Sequence, residues 1–374
     1  MLSKIYEKWN VKNNLDGNGY EDVYHLLNPM KREEFRALPD NEKEKVVNDI
    51  FEIYRGRNIF PITYFNYDNC IKEVIKCVEK DVEFKNGTID LPYTQGANLC
   101  RFLFPNLMRV ECKGVKNNSP YDKFVDDYKL KRAISFALTY KSGVICSPSN
   151  IRGGLEMIGG NVATNFKPMV AKALYEKYTP KNGVIYDFAC GFGGRLLGAL
   201  SSKNNYKYMG VEPCTETFES LNILGKLIEN ATNRNNIFRL YQIGSEDFKG
   251  WRETIDFSFS SPPYFTLERY SEEETQCYNK FKELDEWIEG YIRPTIKNIY
   301  QMLKHDRYYA VNIADFKIGN KEFAYVDEWI RISQEEGFQF HEQLAMTLQT
   351  RRGEGHSETN GRTKKEGVFV FYKK

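Results

Sequence analysis

The sequence predicts an α/β protein in which residues 161–374 form a doubly wound, seven-stranded sheet and residues 1–160 form a mixed, mainly helical N-terminal domain. Two observations predict the sheet. Short apolar runs alternate with amphipathic helical stretches after residue 160, and a glycine-rich turn follows the first of these runs. Before residue 160, helical patterns such as 40–55 alternate with irregular aromatic segments instead.

The predicted strands and helices follow one another in a regular order. Strands are expected at 183–188, 206–213, 237–244, 254–261, 308–315, 338–349 and 367–374. Helices are expected from Pro168 onward, after the glycine turn, and at 214–230 and 284–304. Because the last two strands are joined without a clear helix, we expect them to form an antiparallel hairpin at the edge of the sheet. The glycine-rich stretch 153–161 is interpreted as a hinge, or the last loop, before the second domain.

Composition and charge limit the possible functions. With 53 Lys and Arg against 51 Asp and Glu, the 374-residue chain has a net charge of +2, so any nucleic-acid surface must be local. The basic stretches are residues 101–152, with ten basic and four acidic side chains, and residues 351–374, with seven and three. The eight cysteines include no C-x-x-C pair, so we expect no metal site. The lack of a signal peptide and of any run of ~18 apolar residues predicts a cytoplasmic protein without a membrane span.

The glycine turn and the acid after the next strand predict a nucleoside site. In residues 187–194 (DFACGFGG) the first predicted strand ends at an acid, and the chain passes through glycines into a helix. Glycine permits a positive φ and the close approach of a ligand, and a helix N-terminus offers free amide donors. Glu212 closes the next strand, where a carboxylate can accept hydrogen bonds from both hydroxyls of a ribose. Ser245 and Glu246 follow the third strand and are candidates for binding an adenine amino group, although such residues are also ordinary helix N-caps.

The fourth predicted strand runs into Ser261-Pro262-Pro263-Tyr264. Two consecutive prolines cannot donate to a sheet ladder, so the strand must stop there, and its last carbonyls are held in a rigid loop. The Ser261 hydroxyl and the Pro262 carbonyl can accept both hydrogens of an exocyclic amino group and aim its lone pair at an electrophile. The Tyr264 ring offers a surface on which a flat base can stack.

These segments together resemble a known family. Residues 187–195, Glu212 and 261–264 resemble motifs I, II and IV of class I S-adenosylmethionine-dependent DNA amino-methyltransferases, and residues 164–168 (TNFKP) resemble their motif X. The resemblance covers residues 161–374 and implies a Rossmann-like methyltransferase sheet, S-adenosylmethionine as cofactor, no metal, and direct methyl transfer to a flipped base. It implies catalytic roles for Ser261, Pro262, Pro263 and Tyr264. It implies cofactor contacts at Asn165, Phe166, Pro168, Asp187, Ala189, Cys190, Gly191, Gly193, Glu212, Pro213, Ser245 and Glu246.

The resemblance leaves several substrates open. Serine at the first position of motif IV favours cytosine N4, with adenine N6 as the alternative. Related proline-proline-tyrosine loops also serve RNA and protein amides, and a cofactor-binding nucleic-acid-binding module without turnover is the non-enzymatic alternative. The motif order leaves residues 1–160 as the candidate target-recognition domain, with DNA as the expected partner. No nuclease-type acidic-lysine cluster is evident, so a stand-alone DNA-modifying enzyme is expected.

Three further segments are candidates for contact with DNA or substrate. Arg55 and Arg57 alternate with aromatic residues, as a base-stacking surface would, although aromatic clusters are more often core. Between the last two strands, Arg351, Arg352, Arg362, Lys364 and Lys365 are candidates for holding phosphates. The polar segment 265–283 is interpreted either as a lid, with Glu268 and Tyr270 at its near end, or as a solvated connector.

Overall fold

The computed structural model describes residues 1–9, 30–83, 88–89, 94–112, 117–141, 145–159, 162–318, 321–347 and 365–374. The chain divides into two compact units. The N-terminal unit comprises Met1–Lys72, Asn98–Asn165 and Thr266–Ser271, and the sheet unit comprises Glu73–Ala97, Phe166–Phe265 and Glu272–Lys374. The division into domains at residue 160 stays a prediction.

The strands of the described residues form one large sheet and two small ones. In chain order they are β1 (Thr88–Ile89), β2 (Glu111–Cys112), β3 (Val184–Asp187), β4 (Lys207–Val211), β5 (Phe238–Tyr241), β6 (Ile255–Ser260), β7 (Glu268–Arg269), β8 (Leu303–Ile313), β9 (Phe316–Ile318), β10 (Lys321–Phe323), β11 (Gln339–Thr347) and β12 (Lys365–Lys373). The large sheet has the order β1-β11-β12-β8-β6-β3-β4-β5, while β9 pairs with β10 and β2 with β7.

Seven of the eight strands in the large sheet are the predicted ones. β3 pairs in parallel with β4 and β6, β4 pairs in parallel with β5, and β6 pairs in parallel with β8. β12 lies between β8 and β11 and runs antiparallel to both, so β11 and β12 form the predicted hairpin. The eighth strand, the two-residue β1, pairs in parallel with β11 and was not predicted. The predicted fold class is confirmed.

Helices follow the parallel strands, as the alternation in the sequence predicts. Those after residue 160 are Pro168–Tyr178, Gly194–Leu200, Thr215–Thr232, Cys277–Lys280, Leu284–Trp287, Arg293–Met302 and Tyr325–Glu335, with a π-helical turn at Ile288–Ile292. The predicted helix 284–304 is therefore divided, and its last two residues belong to β8. Pro294 explains the π-helical turn, because proline has no N–H to donate to the carbonyl four residues earlier and its ring clashes with that carbonyl.

The central strand β6 is buried along its whole length. Such complete burial is typical of a parallel strand with both faces of the sheet covered. The polar side chains of β6 are hydrogen-bonded to β3: Ser258 Oγ donates to the carbonyl of Tyr186 at 3.0 Å, and Asp256 Oδ2 accepts from the amide of Val184 at 2.9 Å. These side-chain bonds add to the backbone pairing of the two strands on which the candidate site depends.

The described part of the first 160 residues is mainly helical, as predicted. Its helices are Ser3–Lys8, Arg32–Ala37, Asp40–Arg57, Tyr67–Glu79, Ala97–Leu103, Pro120–Val125, Asp127–Tyr140 and Pro148–Met157, with a 3₁₀ helix at Pro105–Arg109. The helix Asp40–Arg57 includes the whole of the predicted stretch 40–55.

The interpretation of residues 153–161 as a hinge or loop was wrong for residues 153–157, which belong to the helix Pro148–Met157. Ser147 caps this helix by accepting a hydrogen bond from the amide of Asn150, and Pro148 occupies the first turn, where its missing N–H costs nothing. Gly154 lies against the neighbouring helix Asp127–Tyr140, where a Cβ atom would be 2.2 Å from the carbonyl oxygen of Ala133. Glycine serves close helix packing at this position.

Candidate active site

The predicted site residues lie along one edge of the large sheet. The neighbouring parallel strands β6, β3, β4 and β5 end at Ser260, Asp187, Val211 and Tyr241. Because these strands run in the same direction, their carboxyl ends lie at the same edge. The glycine turn, Glu212, the segment 245–247 and the Ser-Pro-Pro-Tyr loop all follow these strand ends.

The glycine turn connects β3 to the helix Gly194–Leu200. Gly191 has a φ of +56° and Gly193 a φ of +75°, a region that residues with a Cβ atom rarely adopt. Gly193 is the N-cap of the helix. The amide of Cys190 donates to the carbonyl of Val211 at 3.0 Å, which holds the turn against the end of β4.

Asp187 is fully enclosed in the turn, with an exposed fraction of 0%. Its Oδ2 accepts hydrogen bonds from Arg195 Nε at 2.8 Å and from the Tyr208 hydroxyl at 2.7 Å, while Oδ1 accepts from the amide of Ala189 at 3.2 Å. Arg195 also donates from Nη2 to the carbonyl of Ala189. Asp187 therefore holds the turn in shape, and its cofactor contact stays a prediction.

Arg195 and Tyr208 were not among the predicted site residues. Arg195 lies in the first turn of its helix, eight residues after Asp187, a spacing that no local periodicity marks as a pair. Tyr208 lies within the strand β4 and is buried. The only signal for the ion pair is the presence of a cation in an otherwise apolar helix, Gly194–Leu200, since such a charge requires a buried partner.

Glu212 lies at the centre of the edge, between the ends of β3 and β4. Its Oε2 accepts from the amide of Gly191 and its Oε1 from the amide of Cys214, both at 3.0 Å. The side chain is 8% exposed, and burial raises the pKa of Glu212 to about 7, against the lowering effect of these two hydrogen bonds. Each carboxylate oxygen retains a lone pair for a further donor. Glu212 can therefore accept hydrogen bonds from a pair of hydroxyl groups.

The residues after β5 are held by two other segments. The Ser245 hydroxyl is buried and shares a hydrogen bond of 2.7 Å with Thr295 Oγ1. Lys280 Nζ lies 2.6 Å from Glu246 Oε1 and 2.6 Å from Asp247 Oδ2. Burial raises the pKa of Glu246, against the effect of the Lys280 hydrogen bond. Both predicted side chains already have protein partners, and their contact with an adenine stays a prediction.

Part of the predicted lid or connector is bound to the site. The carboxylate of Glu273 accepts from the amide and the hydroxyl of Thr215, each at 3.0 Å, at the N-terminus of the helix Thr215–Thr232. The Thr275 hydroxyl donates to the carbonyl of Pro213 at 3.2 Å. Together with Lys280, these contacts fix residues 273–280 beside the ends of β4 and β5. Earlier in the segment, β7 pairs with β2 in the N-terminal unit, and Tyr270 donates to Glu268 there.

The Ser-Pro-Pro-Tyr loop is joined directly to the glycine turn. Ser260 Oγ donates to the carbonyl of Ala189 at 3.1 Å. Ser261 and Pro263 are half-buried, and Pro262 is buried. The carbonyl of Pro263 accepts from the Tyr325 hydroxyl at 3.1 Å. The loop therefore lies beside the turn and has both of its ends fixed.

The Tyr264 side chain is held by the segment after β8. Its hydroxyl accepts from the amide of Ala314 at 3.0 Å. Phe316 and Tyr325 pack edge-on to its ring, with centroid distances of 5.5 and 5.4 Å. Neither of these aromatic residues was predicted, because they follow Tyr264 by more than 50 positions. The Ser-Pro-Pro-Tyr loop, the packed rings of Tyr264, Phe316 and Tyr325, and the glycine turn therefore lie together at this edge of the sheet.

The segment that resembles motif X contacts the same region through Phe166. Its ring lies 5.2 Å from that of Phe259 in β6, and the guanidinium of Arg195 lies 5.8 Å from its centre. Pro168 begins the helix Pro168–Tyr178, as predicted. Asn165 is half-buried and belongs to the N-terminal unit.

The predicted nucleic-acid contacts fall into two groups. Arg55 Nε lies 2.6 Å from Asp127 Oδ1, and its guanidinium stacks on Phe51 and Phe124, so this side chain is bound within the N-terminal unit. Arg57 is exposed at the end of the helix Asp40–Arg57. Arg351, Arg352, Arg362 and Lys364 lie outside the described residues, and Lys365 begins β12. DNA contact by these residues stays a prediction.

The described residues contain neither a metal-binding cluster nor a membrane-spanning helix. No group of three or more His, Cys, Asp or Glu side chains in this part of the chain is arranged to hold a metal ion. Among the helices that the structure describes, none combines the length and the apolar character needed to cross a bilayer.

Comparison with known proteins does not assign this chain to a family. No protein-family model matches it, and no curated protein matches it. A TehB-like S-adenosylmethionine-dependent methyltransferase of Corynebacterium glutamicum aligns over 57% of this chain and 90% of its own, with 15% identity and a TM-score of 0.36. TrmN from Thermus thermophilus aligns over 55% of this chain and 49% of its own, with 14% identity and a TM-score of 0.35. A geranyl diphosphate C-methyltransferase of Streptomyces coelicolor aligns over 53% of this chain and 74% of its own, with 10% identity and a TM-score of 0.34. These TM-scores lie below 0.5, so no property of these proteins is transferred to this chain.

Proposed function

We propose that this protein is an S-adenosylmethionine-dependent methyltransferase that modifies an exocyclic amino group of a DNA base, cytosine N4 in preference to adenine N6. The observation that carries the proposal is the hydrogen bond from Ser260 to Ala189, because it joins a candidate amine-binding loop to a candidate nucleoside-binding turn. The preference for cytosine rests on Ser261 at the first position of the loop motif. It follows from the resemblance to the amino-methyltransferases.

The turn and Glu212 fit the adenosine part of the cofactor. Gly191 and Gly193 keep side chains away from the turn, and the carboxylate of Glu212 has lone pairs left for two ribose hydroxyls. The raised pKa of Glu212 supports this assignment, since burial raises it despite the two backbone hydrogen bonds and the charge of Arg195, and a buried carboxylate gains from additional hydrogen-bond donors. Asp187 shapes the turn through Arg195, and its own contact with the cofactor remains part of the proposal.

The loop fits an amine acceptor. When bound, S-adenosylmethionine would supply the methyl group: the bond between methyl and sulfur would break as the bond to the amine nitrogen formed, the electron pair would stay on sulfur, and one proton would pass from the nitrogen to water. The Ser261 hydroxyl and the Pro262 carbonyl accept the two amino hydrogens and orient the nitrogen lone pair. Tyr264, fixed by Ala314, provides the ring against which the base stacks. To reach this loop, a base in duplex DNA must leave the stack.

The test is methyl transfer from labelled cofactor to duplex DNA by the purified protein, followed by digestion to nucleosides and identification of the product by mass. N4-methylcytosine is expected. N6-methyladenine would correct the base and keep the proposed class. Ser261→Ala should suppress transfer while cofactor affinity stays near normal, because Ser261 is assigned to the amine alone. Full activity of this variant would contradict its role.

Two other functions are separated by the same assay. RNA and peptide substrates share an amino or amide nitrogen that the loop could accept, so competition against duplex DNA distinguishes them. A module that binds the cofactor without turnover would give no transfer even in a single-turnover experiment. The joined loop and turn favour an enzyme, since binding of the cofactor alone does not require the Ser-Pro-Pro-Tyr loop.

A further inference from the structure

A row of flat side chains is exposed along one face of the helix Asp127–Tyr140. Tyr128, Arg132, Phe136 and Tyr140 follow one another at intervals of four residues, a spacing that places side chains next to one another on a helix surface. Tyr128 is 70% exposed and Tyr140 is 56% exposed, while Arg132 is exposed and Phe136 is half-buried. We call these four residues the aromatic row.

The core of the N-terminal unit does not account for the aromatic row. The helix packs through other positions, against the helices Asp40–Arg57 and Pro148–Met157. The side chains that it buries are Leu130, Ala133, Ile134, Ala137 and Leu138. A contiguous exposed apolar surface commonly marks a binding site. The exposure of the row is therefore better explained by binding than by folding.

The members of the row are arranged in two pairs before any ligand binds. The guanidinium of Arg132 lies 5.7 Å from the centre of the Tyr128 ring. The ring centroids of Phe136 and Tyr140 lie 4.9 Å apart, with 39° between the ring planes. Because these contacts already restrict the side chains, less side-chain freedom is lost when a flat ligand stacks on them.

The charge around the row is positive. Residues 128–141 contain four basic side chains and no acidic one, in a chain whose net charge is only +2. Arg36 adds a cation at the end of the helix, where its Nε and Nη2 donate to the carbonyl of Thr139 at 3.1 and 2.8 Å. The surface therefore attracts a polyanion.

The two acids that precede the row do not cancel this charge. Asp126 Oδ2 lies 3.8 Å from Lys129 Nζ, and Asp127 Oδ1 lies 2.6 Å from Arg55 Nε. Together with Arg36 and Arg55, the helix and its two capping residues carry six cations against two acids. A surplus of positive charge remains beside the exposed rings.

We propose that the aromatic row is a binding surface for single-stranded nucleic acid. Such a strand combines flat bases, which stack on rings and on a guanidinium plane, with phosphates that pair with the surrounding cations. In a duplex the faces of the bases are covered by neighbouring base pairs, so only unpaired bases can stack on the row. At 1.5 Å per residue the row spans about 18 Å, the length of about five nucleotides at 3.4 Å each.

The first test is the fluorescence anisotropy of a labelled oligothymidylate of about ten nucleotides, titrated with the full-length protein without cofactor. An abasic oligonucleotide of the same length and charge should bind at least about tenfold more weakly, because it has no bases to stack. A duplex of the same length should also bind more weakly. An oligouridylate of this length distinguishes DNA from RNA as the source of the strand, and tyrosine-dependent binding of either one supports the proposal.

Substitutions of the two tyrosines test the row itself. Tyr128→Ala and Tyr140→Ala should each weaken oligothymidylate binding about 5- to 150-fold, the range expected for the loss of one base-stacking contact. Tyr128→Phe keeps the ring and should bind like the wild type, whereas Tyr128→Leu keeps an apolar side chain without the ring and should bind like the alanine variant. Tyr67→Ala is the matched control, because Tyr67 is 43% exposed in the same unit but lies on another helix, Tyr67–Glu79. This control should leave the affinity unchanged.

Arg132→Gln tests the contribution of charge. Loss of one phosphate contact should lower the slope of log affinity against log salt by about 0.7, the value for a single strand. Because Tyr128, Arg132 and Tyr140 are exposed, their variants should unfold at the wild-type temperature, so that a loss of binding reports on the surface and not on folding.

Three results would overturn the proposal. One is equal affinity for the oligothymidylate and the abasic probe, or an unchanged affinity in both tyrosine-to-alanine variants. Another is tyrosine-dependent binding of the duplex as tight as that of the single strand. The third is a change of oligomeric state in Tyr128→Ala with unchanged oligonucleotide affinity, which would identify the row as an interface between copies of this chain. The proposal goes beyond methyl transfer, and because no measurement uses methyl transfer, failure of this surface and failure of the proposed function remain distinguishable.

Discussion

Ser260 at the end of β6 donates a hydrogen bond of 3.1 Å to the backbone carbonyl of Ala189, the second residue after β3. This bond joins the two loops to which sequence motifs assign different ligands. It is formed because β3 and β6 are adjacent and parallel, with Tyr186 opposite Ser258. The spacing between the proposed cofactor site and the proposed amine site is therefore set by the pairing of two buried strands.

Ser260→Ala should reduce methyl transfer about tenfold, because the residue that follows it, Ser261, loses one of its anchors. The free energy of unfolding should fall by about 1 kcal/mol, the usual cost of one hydrogen bond. Ser258→Ala is the matched control: it removes a similar bond, from Ser258 to Tyr186 O at 3.0 Å, two residues before the site. Equal transfer rates for the two variants at equal stability would refute the positioning role.

Cofactor affinity should depend on the protonation of Glu212. Burial raises its pKa to about 7. Only the ionised carboxylate has both oxygens free of a proton, so only this form can accept a hydrogen bond from each of the two ribose hydroxyls while it keeps its backbone hydrogen bonds. The affinity should be highest above pH 7 and should fall by up to about tenfold per unit below it. Isothermal titration from pH 5.5 to 8.5 measures this dependence.

Glu212→Gln isolates the effect, because the amino group of the cofactor titrates equally with both proteins. At high pH this variant should bind the cofactor more weakly than the wild type does. Below pH 7 its cofactor affinity should not show the fall that is expected for the wild type. The same pH dependence in both proteins would exclude Glu212 as the titrating group.

Asp187→Asn should lower the free energy of unfolding by about 3–5 kcal/mol, because it leaves Arg195 as an uncompensated buried charge. Urea unfolding of the single variants and of Asp187→Asn with Arg195→Met measures the coupling between the two residues. The double variant should be more stable than the sum of the single effects predicts. Strict additivity would show that the ion pair does not hold the turn.

Substitutions of Tyr264 should separate stacking from anchoring. Tyr264→Ala removes the ring and should reduce methyl transfer about 5- to 150-fold, the range expected for a base-stacking contact of about 1–3 kcal/mol. Tyr264→Phe keeps the ring and loses only the bond to the amide of Ala314, so its effect should be about fivefold or less. Cofactor affinity is the control in both cases. A larger effect of phenylalanine than of alanine would rule out stacking as the role of the ring.

Gly154→Ala should lower the melting temperature, with a cost of about 1–3 kcal/mol, because its Cβ would meet the backbone of Ala133 at 2.2 Å. Gly153→Ala is the control in the same helix. Its Cβ meets only the flexible end of Lys141, at 2.8 Å from Nζ, so it should be neutral or slightly stabilising through helix propensity. Similar melting temperatures for the two variants would contradict the packing role of Gly154.

The sequence predicts the large sheet well because each central strand is a short apolar run bounded by glycine, proline or an acid. The positions of Glu212 and Ser261 follow directly, since residues after parallel strands meet at one edge. The partners of these residues are harder to predict: Arg195, Tyr208 and Tyr325 approach the site through packing between distant segments, which leaves no local pattern. The stretch 153–161 was misinterpreted because glycine marks close helix packing as well as flexible turns.

The position of β12 has a consequence for how the protein is made. Residues 365–373 occupy an interior position in the large sheet, so β11 and β1 can join β8 only through them. During translation, β11 emerges from the ribosome before the strand that connects it to the rest of the sheet, with its pairing groups unmatched. Completion of the sheet therefore waits for residues 365–373, and until they pair, β11 presents an unmatched strand edge of the kind that promotes aggregation.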